Sequence, residues 1–248
     1  MKKVALVTGG VGGIGTAICK RLAADGHFVV ANYAIPGSED RWKKDMAAAG
    51  LNGTSSALAF GDVTDYDAMG KMIEDITANY GQVDILINCA GITRDAQFRK
   101  MTPANWHAVI DTNLTSVFNV TRHVIDGMIE RGWGRIITLS SVNAVRGQFG
   151  QTNYAAAKAG ILGFTKSLAQ EVVKKGVTVN AISPGYVNTD MVMAIRDDVR
   201  EQLVASIPAG RLAMPEEIAD SVAFLASDKA AYITGTNLSV NGGLHMYS

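Results

Sequence analysis

Short apolar runs alternate with longer amphipathic stretches along the whole chain. Val4–Val7, Phe28–Ala31, Ile85–Ile87, Arg135–Leu139, Val177–Ile182 and Leu238–Val240 are β-branched or nearly continuously apolar. Such runs predict strands covered on both faces. A further strand is expected near Ala57–Phe60. Between them the spacing predicts helices over Ile14–Ala24, Glu39–Ala49, Tyr66–Tyr80, Pro103–Arg131, Gln151–Lys175 and Pro215–Ala226. Pro103 and Pro215 stand where a helix tolerates a missing amide donor, and Thr102 is a good N-cap for the first of them.

Strand–helix alternation requires crossover connections, hence a parallel sheet with helices on both faces. No linker-like stretch, low-complexity segment or internal repeat divides the chain. The expectation is one α/β domain over residues 1–248, doubly wound around a sheet of about seven strands. Ligands bind such sheets beyond the C-terminal ends of the strands.

Composition narrows the chemistry. Lys+Arg and Asp+Glu balance at 23 each, so no global field draws the chain to nucleic acid or to an anionic membrane. An anionic ligand has to be held by local groups. Cys19 and Cys89 suggest no disulfide, and His27, His107, His123 and His245 are scattered without ligand spacing, so no metal site is expected. The apolar run after Lys2-Lys3 ends quickly in glycines, too short for a secretory segment. No later stretch approaches the ~18 uninterrupted apolar residues of a membrane span. The expected location is the cytoplasm.

Two motifs carry candidate chemistry. Thr8-Gly9-Gly10-Val11-Gly12-Gly13-Ile14-Gly15 follows the first strand and opens the first helix. Glycines allow a tight turn and close approach of a pyrophosphate, and the helix N-terminus offers free N–H groups and a positive dipole end. That is the strand–loop–helix setting of a Rossmann-type dinucleotide site. The second motif is Tyr154-Ala155-Ala156-Ala157-Lys158, with Ser141 thirteen residues before the tyrosine. Tyrosine and lysine four apart share a helix face. An ammonium near a phenol is expected to lower its pKa from about 10, tuning it for proton transfer in carbonyl chemistry.

The glycine spacing Thr-Gly-x-x-x-Gly-x-Gly, through Gly9, Gly13 and Gly15, resembles the short-chain dehydrogenase/reductase family. The other family motifs follow in order over essentially the whole chain. Asp62-Val63 looks like the adenine-contacting pair, and Asn88-Cys89-Ala90-Gly91 like the Asn-Asn-Ala-Gly turn. Asn113, Ser141, Tyr154 and Lys158 match the catalytic tetrad, and Pro184-Gly185 the turn beside the nicotinamide. Cys89 departs from the usual second asparagine and is expected to leave its turn slightly less braced. The resemblance implies that Ser141 donates to a carbonyl oxygen and Tyr154 protonates it. It also implies that Lys158 holds the nicotinamide ribose, and that Asn113 positions a water. The thirteen-residue spacing selects Ser141 over Ser140.

The expected cofactor contacts are Gly9, Gly12, Gly13, Ile14, Gly15, Asn32, Tyr33, Arg41, Asp62, Val63, Asn88, Ala90, Gly91, Tyr154, Lys158, Pro184 and Gly185. An NAD-selective site places a carboxylate about 20 residues past the glycines. Here that stretch reads Ala31-Asn32-Tyr33-Ala34, with Arg41, Lys43 and Lys44 following, so NADPH is favoured. Gly12 stands where NADP-using relatives often carry a basic residue.

The segment 142–153 joins the serine to the tyrosine and is expected to line the substrate pocket through Gln148, Phe149 and Gln151. Tyr186 is placed to close over it, and a lid is expected around 186–213. Within the family, segments such as Gly147-Gln148-Phe149-Gly150-Gln151-Thr152-Asn153-Tyr154 and Arg131-Gly132-Trp133-Gly134-Arg135 look like those of acetoacetyl-CoA reductases of polyhydroxybutyrate synthesis. That resemblance implies NADPH-dependent reduction of acetoacetyl-CoA to (R)-3-hydroxybutyryl-CoA by a homotetramer. Arg94, Arg99, Lys100, Arg146 and Arg196 are candidates to meet the CoA phosphates. A 3-oxoacyl-acyl-carrier-protein reductase is the alternative. A non-catalytic dinucleotide sensor is a remoter one, since such a protein is expected to lose the tetrad.

Overall fold

In the computed structural model, which describes residues 2–51 and 53–246, the apolar runs form seven strands. They are β1 (Val4–Thr8), β2 (Phe28–Tyr33), β3 (Ser56–Phe60), β4 (Val83–Asn88), β5 (Gly134–Leu139), β6 (Val177–Pro184) and β7 (Asn237–Val240). All pair in parallel, in the order β3-β2-β1-β4-β5-β6-β7. The order reverses between β1 and β4, which makes the crevice there the topological switch point. β1, β5 and β6 are buried along their whole length, including the polar Arg135 and Thr138 of β5 and Thr178, Asn180 and Ser183 of β6.

Helices cover both faces. On one side lie α1 (Gly13–Ala24), α2 (Glu39–Ala48) and α10 (Pro215–Ala226), whose Ile18, Leu22, Met46, Ile218 and Val222 pack on Val7, Ile85 and Ile137. On the other lie α3 (Tyr66–Tyr80), α5 (Ser116–Glu130) and α7 (Thr152–Val172), whose Met69, Ile73, Val120, Met128 and Val172 pack on Leu6, Leu86 and Val179. Two buried layers on a central sheet are the expected doubly wound arrangement.

Three departures from the expected elements matter for the site. The long helix over Pro103–Arg131 is broken. α4 (Pro103–Ile110) and α5 are joined by one π-helical turn, Asp111–Thr115, which contains Asn113. The segment after Ser141 contains a short helix, α6 (Asn143–Arg146). Two further helices, α8 (Asp190–Met193) and α9 (Asp197–Ser206), fill the expected lid. The lid ends are pinned together by a bridge between Val187 and Ala213, with Asn188 N–H donating to Ala213 O and Ala213 N–H to Tyr186 O. Among the described residues, no helix is long and apolar enough to cross a membrane.

Candidate active site

The glycine loop turns at the end of β1. Gly9 has φ +60°, and a Cβ there would lie 2.9 Å from Ala90 Cα. A Cβ on Gly15 would meet Gly9 O at 2.3 Å, and one on Gly10 would meet Ala31 Cβ at 2.7 Å. These three glycines let loop, helix and sheet close on each other. Gly13 is tight only against Thr189 Cγ2 at 3.2 Å, and Gly12 only against Gly9 O at 3.4 Å. The close-packed set is therefore Gly9, Gly10 and Gly15. Gly10 was not among the expected contacts.

Helix α1 begins with no side-chain cap. The N–H groups of its first turn, at Gly13, Ile14 and Gly15, have no intrahelical acceptors. A bare helix N-terminus behind an open glycine turn fits a dinucleotide pyrophosphate.

Several residues expected to face the cofactor serve to brace this turn. Asn32 is buried, and its amide donates to Gly61 O at 2.9 Å and Ala59 O at 3.4 Å. Its Oδ1 faces Gly9 N–H at 3.5 Å. Asn88 is buried too, donating to Thr121 Oγ1 and Thr138 Oγ1, both at 3.3 Å. Thr8 Oγ1 accepts from the N–H groups of Cys89 and Ala90 at 3.0 and 3.2 Å. Position 89 is thus braced through its backbone, a support that does not depend on its side chain. Burial pushes the Cys89 thiol up to about 11, so it stays neutral. Val63 is buried, and Asp62 is exposed with one oxygen accepting from Thr64 N–H and Oγ1–H, both at 2.9 Å. Tyr33 is half-buried and packs edge-on to Phe60. Arg41 is exposed and ion-paired with Asp190, the first residue of α8.

The tetrad converges at the C-terminal ends of β4 and β5. Asn113 clamps Ile92, with Oδ1 accepting from Ile92 N–H and Nδ2 donating to Ile92 O, both at 2.8 Å. The π turn that carries Asn113 packs on α7 through Leu114, which lies where a Cβ on Gly160 would sit. Such turns occur mostly where function outweighs regular helix geometry. A Cβ on Gly91 would lie 2.7 Å from Asn113 Oδ1 and 3.5 Å from Lys158 Nζ, so Gly91 marks the meeting point of loop, asparagine and lysine.

Ser140 and Ser141 are both buried. Ser140 Oγ donates to Lys158 O at 2.8 Å, which leaves Ser141 as the serine free for chemistry. Ser141 Oγ accepts from Asn143 N–H at 3.1 Å. Val142 N–H donates to Pro184 O at 2.9 Å, tying the serine turn to the Pro184-Gly185 turn. A Cβ on Gly185 would lie 2.9 Å from Asn241 Cα.

The tyrosine–lysine pair differs from expectation. Lys158 Nζ lies 5.7 Å from the Tyr154 ring centroid and donates to the carbonyl of Leu139 at 2.7 Å. Burial pushes Lys158 down to about 8. Burial also pushes the Tyr154 phenol up, against a hydrogen bond from Ser141 that pulls it down. The pull that opposes desolvation of the tyrosine comes from Ser141.

The expected substrate segment is held together by its own side chains. Gln151 donates to Asp95 Oδ2 at 2.9 Å and accepts from Asn143 Nδ2 at 3.0 Å. Gln148 Oε1 accepts from Arg146 at 2.9 Å, and the same guanidinium reaches Tyr186 Oη at 3.1 Å. Arg146 therefore links the serine–tyrosine segment to Tyr186. Phe149 is 81% exposed. Arg94 is exposed and donates to its neighbour Thr93 O, while its own carbonyl accepts from Asn153. A cleft beside the lid is lined by Gly185, Tyr186, Ile207, Ala209, Val240 and Asn241, and no member of the tetrad lines it.

Residues not singled out from sequence are Thr8, Gly10, Leu139, Asn143 and Thr189. Thr8 and Gly10 lie inside the glycine motif itself. Leu139 acts through a backbone carbonyl, which leaves no mark in a sequence.

The arrangement can hold a dinucleotide at α1 and present a serine hydroxyl and a tyrosine hydroxyl to one substrate oxygen. Comparison with known proteins agrees. A family model described as enoyl-(acyl carrier protein) reductase matches residues 10–245. An acetoacetyl-CoA reductase of Allochromatium vinosum is 57% identical over 249 aligned positions, covering 100% of both chains. That of Cupriavidus necator is 57% identical over 247, covering 99% of each. The 3-oxoacyl-acyl-carrier-protein reductase of Escherichia coli is 48% identical over 244, covering 98% of each. The chain belongs to the short-chain dehydrogenase/reductase family and is an oxidoreductase that uses a nicotinamide dinucleotide.

Proposed function

We propose that this enzyme reduces acetoacetyl-CoA to (R)-3-hydroxybutyryl-CoA with NADPH. The observation that carries the chemistry is the convergence of Ser141, Tyr154 and Lys158 beside the Gly91 turn. Full-length identity to acetoacetyl-CoA reductases, higher than to the acyl-carrier-protein reductase, favours the CoA ester. The bound nicotinamide supplies hydride to the carbonyl carbon. Ser141 donates a hydrogen bond to the carbonyl oxygen, and Tyr154 delivers its proton there as negative charge develops. Lys158 restores polarity behind the tyrosine and binds the ribose. Asn113 holds the Ile92 loop beyond β4 in place and positions the water that relays protons to Lys158.

For the cofactor, the first turn of α1 holds the pyrophosphate. Asp62-Val63 flank the adenine, and Pro184-Gly185 flank the nicotinamide. Arg41 is the candidate cation for a 2′-phosphate, since no acid stands at the end of β2. Arg146, Gln148, Phe149 and Tyr186 frame the acyl-CoA mouth, with residues 186–213 as its lid. Arg94 supplies positive charge nearby. The enzyme serves polyhydroxybutyrate synthesis in the cytoplasm as a homotetramer. The experiment is Tyr154→Phe, with expected outcome retained NADPH binding and loss of nearly all turnover. Wild-type turnover in that variant would sink the assignment.

A further inference from the structure

Asn143 stands two residues past Ser141 and opens α6. Its N–H occupies one lone pair of the Ser141 hydroxyl at 3.1 Å. Its side chain is buried, and it begins a directed chain of hydrogen bonds. Nδ2 donates to Gln151 Oε1 at 3.0 Å, and Gln151 Nε2 donates to Asp95 Oδ2 at 2.9 Å.

The direction of that chain is fixed from its far end. An ionised carboxylate only accepts, so Gln151 must turn its amide hydrogens to Asp95 and its oxygen to Asn143. Asn143 must then turn its own amide hydrogens to Gln151. The remaining oxygen, Oδ1, is buried and finds no protein donor among the described residues. An orphaned buried acceptor lowers stability, and an apolar side chain of the same size would avoid that cost. Buried polar groups kept against stability concentrate at functional sites.

We propose that Asn143 is a positioning residue for the reduction: anchored through Gln151 to Asp95, it holds the Ser141 hydroxyl in the orientation that reaches Tyr154 and the substrate oxygen. The proposal rests on the tetrad being the reductase site. It also gives Gln151 a different task from direct substrate contact, because both ends of its amide are engaged within the protein. A purely structural asparagine would be missed chiefly in the melting temperature. A positioning asparagine would be missed at Ser141 and Tyr154.

The test compares Asn143→Leu, Ser141→Ala and the double variant, with Asn143→Ala in reserve should leucine not fit. Three quantities are read: melting temperature, the Cζ NMR resonance of Tyr154 in the free protein, and kcat with NADPH. The resonance is assigned as the one missing in Tyr154→Phe. Asn143→Leu removes the orphaned Oδ1 and also the donor to Gln151 Oε1, which is only half-buried, so the two effects offset and the melting temperature is expected to change little. Its Tyr154 resonance should move in the same direction as in Ser141→Ala, and kcat should fall on the order of 10–100-fold. The double variant should be no slower than Ser141→Ala alone, because both changes disable one hydroxyl. An unmoved Tyr154 resonance, or a double variant slower by the full Asn143→Leu factor, overturns the proposal. Should the wild type fail to reduce acetoacetyl-CoA, the substrate reading falls, and the resonance still decides the role of Asn143.

Discussion

Lys158 directs its ammonium at the carbonyl of Leu139, 2.7 Å away, rather than at the phenol of Tyr154 four residues earlier on the same helix. The lysine is 4% exposed, and burial holds it down to about 8. Its ordinary value is about 10.4. Below pH 8 the folded state therefore carries a buried charge that the unfolded chain keeps in water. Between about pH 8 and the unfolded value, the unfolded chain binds the proton and the folded chain does not, so this group makes stability rise with pH. Lys158→Met removes the penalty. It is expected to stabilise the free protein at pH 7 by roughly 1–3 kcal/mol, after the lost bond to Leu139 is counted, while abolishing turnover. The gain should shrink toward pH 10. Thermal unfolding across that range checks it, and a variant less stable than wild type at pH 7 contradicts it.

The glycine loop gives a contrast that its sequence does not. Gly10→Ala would drive a methyl group into Ala31 Cβ at 2.7 Å and Val7 O at 2.8 Å, both inside the sheet. Overpacking of this kind typically costs 1–3 kcal/mol or more. Gly12→Ala meets only Gly9 O at 3.4 Å. The first is expected to lower the melting temperature sharply, and the second to leave it within a degree or so of wild type. Equal losses in the two variants would show that the loop is not packed as described.

Arg41 and Asp190 join α2 to the start of α8. Both side chains are largely exposed, so the pair adds little to stability. On the proposed NADPH reading, a 2′-phosphate would compete with Asp190 for the same guanidinium. Asp190→Asn is expected to lower KM for NADPH and leave KM for NADH unchanged, whereas Arg41→Ala raises KM for NADPH alone. Steady-state kinetics with both cofactors decide it. Parallel changes with NADPH and NADH would remove Arg41 from the 2′-phosphate site.

Ser141→Ala removes the hydroxyl proposed to donate to the reacting oxygen, the same hydroxyl that pulls down the Tyr154 phenol. It is expected to cost about 10²–10³-fold in kcat, the range for losing one oxyanion-type donor. Ser140→Ala loses a bond to Lys158 O and should act on stability before chemistry. A larger kcat loss in Ser140→Ala than in Ser141→Ala would reverse the two assignments.

All seven strands are legible from sequence because continuous apolar runs of strand length have few other uses, and each appears within two residues of its expected bounds. The break in the helix at Asp111–Thr115 is not legible. It depends on Asn113 meeting the backbone of Ile92, a contact between segments far apart in sequence. The ordered motifs locate the tetrad, since each member lies at a strand end or on the helix that follows. What a motif residue does with its side chain is harder to read. Asn32 and Asn88 stand at the site yet spend their amides on β3 and on Thr121 and Thr138. Helix spacing alone puts Lys158 beside Tyr154. The tertiary position of the Leu139 carbonyl gives the ammonium its hydrogen bond while Nζ stays over the Tyr154 ring. The short helices α6, α8 and α9 carry too little periodicity to announce themselves.

The most direct test of the proposed reduction is kcat/KM for NADPH oxidation by the purified protein with acetoacetyl-CoA, beside the same measurement with acetoacetyl-acyl-carrier-protein. The expected result is a much larger value on the CoA ester. A preference for the carrier-protein ester would contradict it and move the same tetrad to fatty-acid synthesis.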